Sequence, residues 1–133
     1  MSVTILFVFI PLFSIAQIIT TDPALPVAGE AVTVYFDATQ GTGGLEGYTG
    51  DVYAHTGVLT NLSTGSGDWK YVMTDWGVNS EATKLTRIST DYYSLEIEPT
   101  IRDYYGVPLS ETITHMAFVF RSSDSQLEGK NDG

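Results

Sequence analysis

The sequence predicts an all-β domain, an antiparallel sandwich of about seven short strands with one short helical turn. Two observations carry this. Apolar and polar residues alternate with period two in run after run, and the runs are separated by clusters of Gly, Asn, Asp and Ser. The one segment with helix punctuation is short.

Taken in chain order, Ile18 to Asp22 is a weak first strand. Ala31 to Asp37 (AVTVYFD) is a clear one, with Val32, Val34 and Phe36 on one face and Thr33, Tyr35 and Asp37 on the other. Asp51 to Val58 (DVYAHTGV) and Trp69 to Thr74 (WKYVMT) follow, then a weaker Lys84 to Ile88. Tyr92 to Glu98 (YYSLEIE) and Ile113 to Arg121 (ITHMAFVFR) complete the set. Between these last two, Pro99 to Tyr105 reads as the helical turn, with Pro99 at its first position and Gly106 just past its end. The count and spacing suit an immunoglobulin-like arrangement. Val32, Val34, Phe36, Leu95, Ile97, Phe118 and Phe120 are the expected core.

A length of 133 residues allows one domain. Hydrophobic residues make up 43% and charged residues 17%, the mixture of a globular chain with a core. Six basic against sixteen acidic side chains give a net charge of -10, which repels phosphate backbones and anionic lipid and so argues against nucleic acid as a partner. Cysteine is absent, which removes disulfides and thiolate chemistry together. Residues 1–16 contain an apolar run, VTILFVFIPLFSIA, too short for a membrane-spanning helix and ending in small residues at Ser14 and Ala16. They read as a signal peptide, although no Lys or Arg precedes the run. The mature module is then residues 17–133, expected to be a secreted or cell-surface monomer with no membrane attachment after cleavage. The polar tail Ser122 to Gly133 follows the most apolar strand where a sandwich continues into a closing edge strand, so the module is expected to be truncated at its C-terminus.

No catalytic constellation stands out, and no cofactor or metal site is expected. Glu96 and Glu98 share a strand face, but that face is the solvated one. His55 and His115 have no nucleophile elbow to serve. The glycines of Gly41 to Gly47 (GTGGLEG) are misplaced for a phosphate loop and no helix follows, so they read as a turn. Asp124, Gln126, Glu128 and Gly129 imitate the opening of a calcium loop, but the acid at its twelfth position would lie beyond the chain; an acidic solvated loop is the simpler reading. Asn61-Leu62-Ser63 is a glycosylation sequon only in a host that glycosylates secreted proteins.

The aromatic inventory is more informative. The mature chain has eight Tyr and two Trp but only three Phe (Phe36, Phe118 and Phe120), so rings with a polar handle dominate. Sugars present flat C–H faces edged with hydroxyls, which suit an aromatic face beside polar side chains. Tyr53, His55, Trp69, Tyr71 and Trp76 cluster in sequence with Asp68, Lys70, Asp75 and Asn79 between them. Trp69 is either a core residue of a central strand or a ligand contact, whereas Trp76, between Asp75 and Gly77, is expected at the surface.

The segments DVYAHTGV (Asp51 to Val58), DWKYV (Asp68 to Val72), TDWG (Thr74 to Gly77), IRDYYGVP (Ile101 to Pro108) and MAFVFRSSD (Met116 to Asp124) together resemble the N-terminal sandwich domain of secreted Bacteroidetes α-amylase-like glycoside hydrolases. The resemblance covers nearly the whole mature chain. A strand ending in His-x-Gly, then a loop and a Trp, is more distantly similar to starch-binding immunoglobulin-like modules, and this implies that His55 and Trp69 contact ligand. Those modules add a second Trp after the last long strand, where this chain has Leu127 and no aromatic. The first expectation is therefore a noncatalytic carbohydrate-binding module for starch-type α-glucans, binding through His55, Trp69, Trp76, Tyr53, Tyr71, Asp68 and Lys70 and targeting an attached hydrolase to polysaccharide. The alternatives are a ligand-free structural spacer of a secreted hydrolase and a cell-surface interaction domain.

Overall fold

The computed structural model describes residues 17–131; the expected signal peptide lies outside the described residues. The elements run β1 (Ile19–Asp22), β2 (Val32–Asp37), β3 (Val52–Thr60), a 3-10 turn at Glu81–Thr83, β4 (Thr86–Ser89), β5 (Tyr92–Ile97), α1 (Ile101–Tyr105), β6 (Ile113–Ser122) and β7 (Glu128–Gly129). They form two antiparallel sheets, a four-stranded one ordered β1-β2-β5-β4 and a three-stranded one ordered β3-β6-β7. This is the all-β sandwich the alternation predicts, and its strand order is that of constant-type immunoglobulin domains. No helix among the described residues is long and apolar enough to cross a membrane.

Alternation places the core. In β2 and β5 the register pairs Val32 with Ile97, Val34 with Leu95 and Phe36 with Tyr93, all buried and all facing the second sheet. Phe36 stacks on Phe120 across the two sheets with ring centroids 4.0 Å apart, the closest aromatic contact in the domain. Phe118 differs from expectation. It shares the inner face of β6 with Phe120, but β7 pairs only with Phe120 and Arg121, so the strand beside Phe118 has no neighbour on that edge and the ring stays half-buried.

Three local departures from the sequence reading have identifiable causes. Trp69 to Thr74 is not a strand. Lys70 bridges to Val58 and the Met73 amide donates to Thr56, so the segment does run beside β3, but Tyr71 between them adopts a left-handed φ of 53° that turns the chain out of the pleat. The helical turn begins two residues later than expected, at Ile101 and not at Pro99: Thr100 is the N-cap, its hydroxyl accepting from the Asp103 amide, while Gly106 closes the turn at φ 72° as expected. The tail is more than a polar loop, since Glu128 and Gly129 form the edge strand β7. Gly129 is required there: a β-carbon would lie 2.7 Å from the Phe36 ring. The glycine-rich turn packs on the same strand, and a β-carbon on Gly44 would collide with the Glu128 carbonyl oxygen. Asp124 has its carboxylate occupied by the Ser122 hydroxyl and the Gln126 amide within the turn between β6 and β7.

Because Phe120 joins the two sheets through Phe36, Phe120→Ala is expected to destabilise the domain by about 3 to 5 kcal/mol, read from denaturant unfolding.

Candidate functional site

The inner face of β3 carries Val52, Ala54, Thr56 and Val58, so Tyr53, His55 and Gly57 fall on the outer face. Pairing with β6 sets Tyr53 opposite Arg121 and His55 opposite Val119. Onto this face folds the connection between β3 and β4, which delivers both indoles. Trp69 lies against His55 with centroids 5.9 Å apart and planes 28° apart. Trp76 meets the same imidazole edge-on, at 5.2 Å and 77°. The difference between those two angles sets the indole planes at least 49° apart, so the rings form a corner and not a flat strip. Neither indole belongs to the core: Trp69 is half-buried, and Trp76 keeps 45% of its surface exposed. The structure thus resolves the two readings of Trp69 in favour of the outer face.

A residue that sequence reasoning passed over holds this corner together. Arg121 is 1% exposed. Its guanidinium lies 5.4 Å from the Tyr53 ring centroid and 5.9 Å from that of Trp76. It donates to the Val78 carbonyl, to the Asn79 side-chain oxygen at 2.8 Å and to the Ser122 carbonyl at 3.1 Å. These bonds tie the segment after Trp76 to the end of β6. Among the described residues no carboxylate forms an ion pair with it. The signal was available: in MAFVFR the inward Met116, Phe118 and Phe120 leave Ala117, Val119 and Arg121 on the face that carries His55.

His55 and Arg121 are also where the polar accounting fails to close. His55 Nδ1 and Arg121 Nε are buried and lack hydrogen-bond partners among the described residues. A buried Nδ1 with no acceptor is best left unprotonated, which puts the imidazole proton on Nε2. Burial pushes the His55 pKa down, the Arg121 charge pushes it further down, and Asp75 opposes them. The site therefore presents a neutral imidazole between two indoles.

Four of the expected contacts are placed elsewhere. Tyr53 is 7% exposed, because Arg121 covers its ring, so it is a support and not a surface contact. Tyr71 is turned inward by its left-handed backbone, and its hydroxyl donates to Glu111, whose carboxylate also receives the Thr60 hydroxyl at 2.9 Å. That bond to a carboxylate raises the Tyr71 pKa. Asp68 accepts from the Thr64 amide at 3.0 Å and sits 3.6 Å from Lys70, so this pair closes the loop that leads into Trp69. The Trp69 indole N–H is itself used in that loop, donating to the Ser66 carbonyl at 3.2 Å. The structure thus brings together His55, Trp69 and Trp76, with Arg121 and Tyr53 beneath.

Among the described residues no group of His, Asp and Glu side chains is arranged to hold a metal ion. Compared with known protein families and with curated proteins, the sequence matches none of them.

The lowered pKa of His55 has a consequence for stability. The unfolded chain takes up a proton near the ordinary value of 6.5 while the fold resists it, so His55 stabilises the domain fully above that pH. The contribution is lost as the pH falls through 6.5 towards the lower folded value. Denaturant midpoints should fall between pH 7.5 and pH 5.5, and His55→Gln should flatten that slope.

Proposed function

We propose that the domain is a noncatalytic carbohydrate-binding module for starch-type α-glucans, which carries an attached secreted glycoside hydrolase to its polysaccharide. The observation that carries this reading is the angled pair of indoles outside the core, with a neutral imidazole between them. Stacking a sugar face on an exposed indole removes apolar surface from water, worth about 25 cal/mol per Å². Two rings at least 49° apart suit a chain that curves between successive residues, as an α-linked glucan does, better than the flat face of an extended one. The His55 Nε2–H supplies a donor to a hydroxyl at the apex. A net charge of -10 disfavours an anionic ligand, and the uncharged contact groups suit a neutral one. Weak affinity at one site suffices, because tethering to a catalytic domain provides effective concentration. A pure spacer gives no reason to leave an indole on its surface.

Calorimetric titration with maltooligosaccharides tests this. Trp76→Ala and Trp69→Ala should each remove most of the binding, His55→Ala should cost about 0.5 to 1.5 kcal/mol, and affinity should barely change between low and high salt. Absence of heat and of any change in indole emission would leave the spacer reading in its place.

A further inference from the structure

The opposite outer face of the sandwich holds a second aromatic feature. On the four-stranded sheet Tyr35 and Tyr92 lie with ring planes 4° apart and centroids 5.7 Å apart. Both are half-buried, and neither hydroxyl makes a hydrogen bond among the described residues, so both polar ends face solvent. The register puts Thr20, Tyr35, Ser94 and Thr86 in one row across the four strands. Ser94 and Thr86 also line an open groove of about 360 Å³, together with Lys84, Tyr104 and three carboxylates, Glu81, Glu96 and Glu98. The ring pair and the groove therefore meet at Ser94 and form one continuous surface.

Its chemistry selects a partner. The two offset-stacked rings leave half-buried apolar area at the surface, while the hydroxyls of Ser94 and Thr86 and the carboxylates beside them offer hydrogen-bonding groups. Glu96 is already bonded to Thr33 and Lys84 is already paired with Asp51, at 2.9 and 3.6 Å. Three carboxylates against one lysine in the groove disfavour phosphate and other anions. The groove has the volume of a small-molecule site.

We propose that this groove and the Tyr35–Tyr92 pair form a second saccharide subsite, which takes a neutral sugar chain on the sheet face opposite the indole corner. The proposal rests on the glycan-binding reading above and adds that the domain is bivalent. One face grips a curved segment while the other lies along a second segment or a second chain, so retention on a polymer exceeds that of either site alone.

The test is calorimetric titration of the domain with maltoheptaose in three forms: unaltered, Trp69→Ala/Trp76→Ala, and Tyr35→Thr/Tyr92→Thr, with threonine chosen to keep strand propensity. Two sites per chain are expected in the unaltered protein and one in each double variant. In the indole-free form the remaining emission is from tyrosine and should change on sugar addition. Ser94→Gln, which keeps both rings but fills the junction with the groove, should also remove one site, so the outcome does not depend on the tyrosine variant folding. A single site that disappears with the indoles and is untouched by Tyr35→Thr/Tyr92→Thr and by Ser94→Gln overturns the second subsite and leaves the first reading standing. No saccharide binding in any form overturns both. Binding of oligolysine at low salt in place of sugar, abolished by Ser94→Gln, overturns the proposal and makes the groove a seat for a basic peptide.

Discussion

A buried guanidinium with no counter-charge is the constraint around which the outer face of the smaller sheet is organised. Taking an ion out of water costs several kcal/mol even after relaxation, and Arg121 is 1% exposed without an ion pair among the described residues. Its compensation comes from the Val78, Asn79 and Ser122 oxygens and from the faces of Tyr53 and Trp76. Each of those partners is thereby fixed in place. Tyr53 becomes a floor, the residues after Trp76 become an anchored loop, and the indole is presented to solvent on a rigid base. The arginine is thus a positioning residue for the corner.

The strand period separates this site from the core. Inward residues of β2, β5, β3 and β6 meet across the sandwich through Phe36 and Phe120, while outward residues of the same strands carry the tyrosine pair and the His55 and Arg121 side chains on which the two loop-borne indoles rest. Stability and recognition therefore draw on alternate residues of the same segments. A substitution at Ala54 or Phe120 acts on the core, whereas one at His55, one position away from Ala54, acts on the outer face that carries the site.

Sequence alone made the fold legible to the extent that alternation is local. β2 and β5 follow directly from VTVYFD and YYSLEI, and Gly106 marks the end of α1. Period-two reading misled at Trp69 to Thr74, because a single left-handed residue, Tyr71, breaks the pleat without altering the pattern of residue types. β7 escaped because two residues carry no period, and its evidence lies in the glycine that lets Phe36 pass. For the candidate site, composition and spacing marked the cluster of Tyr53, His55, Trp69, Tyr71 and Trp76, and the resemblance to starch-binding modules pointed within it to His55 and Trp69. Alternation in MAFVFR places Arg121 on the outward face, but its contact with Tyr53 depends on pairing between strands sixty-odd residues apart, so it was not singled out. The same holds for Tyr35 and Tyr92, which look like ordinary strand residues until β2 and β5 are set in register.

The central claim, that Arg121 holds an exposed indole in a preformed position, is tested most directly by acrylamide quenching together with fluorescence anisotropy of a Trp69→Phe protein, in which Trp76 is the only indole. The account predicts an indole that acrylamide reaches readily yet that turns with the whole domain, and predicts that adding Arg121→Met frees its local motion and raises quenching further. An indole equally quenched and equally immobile with and without Arg121 would contradict it.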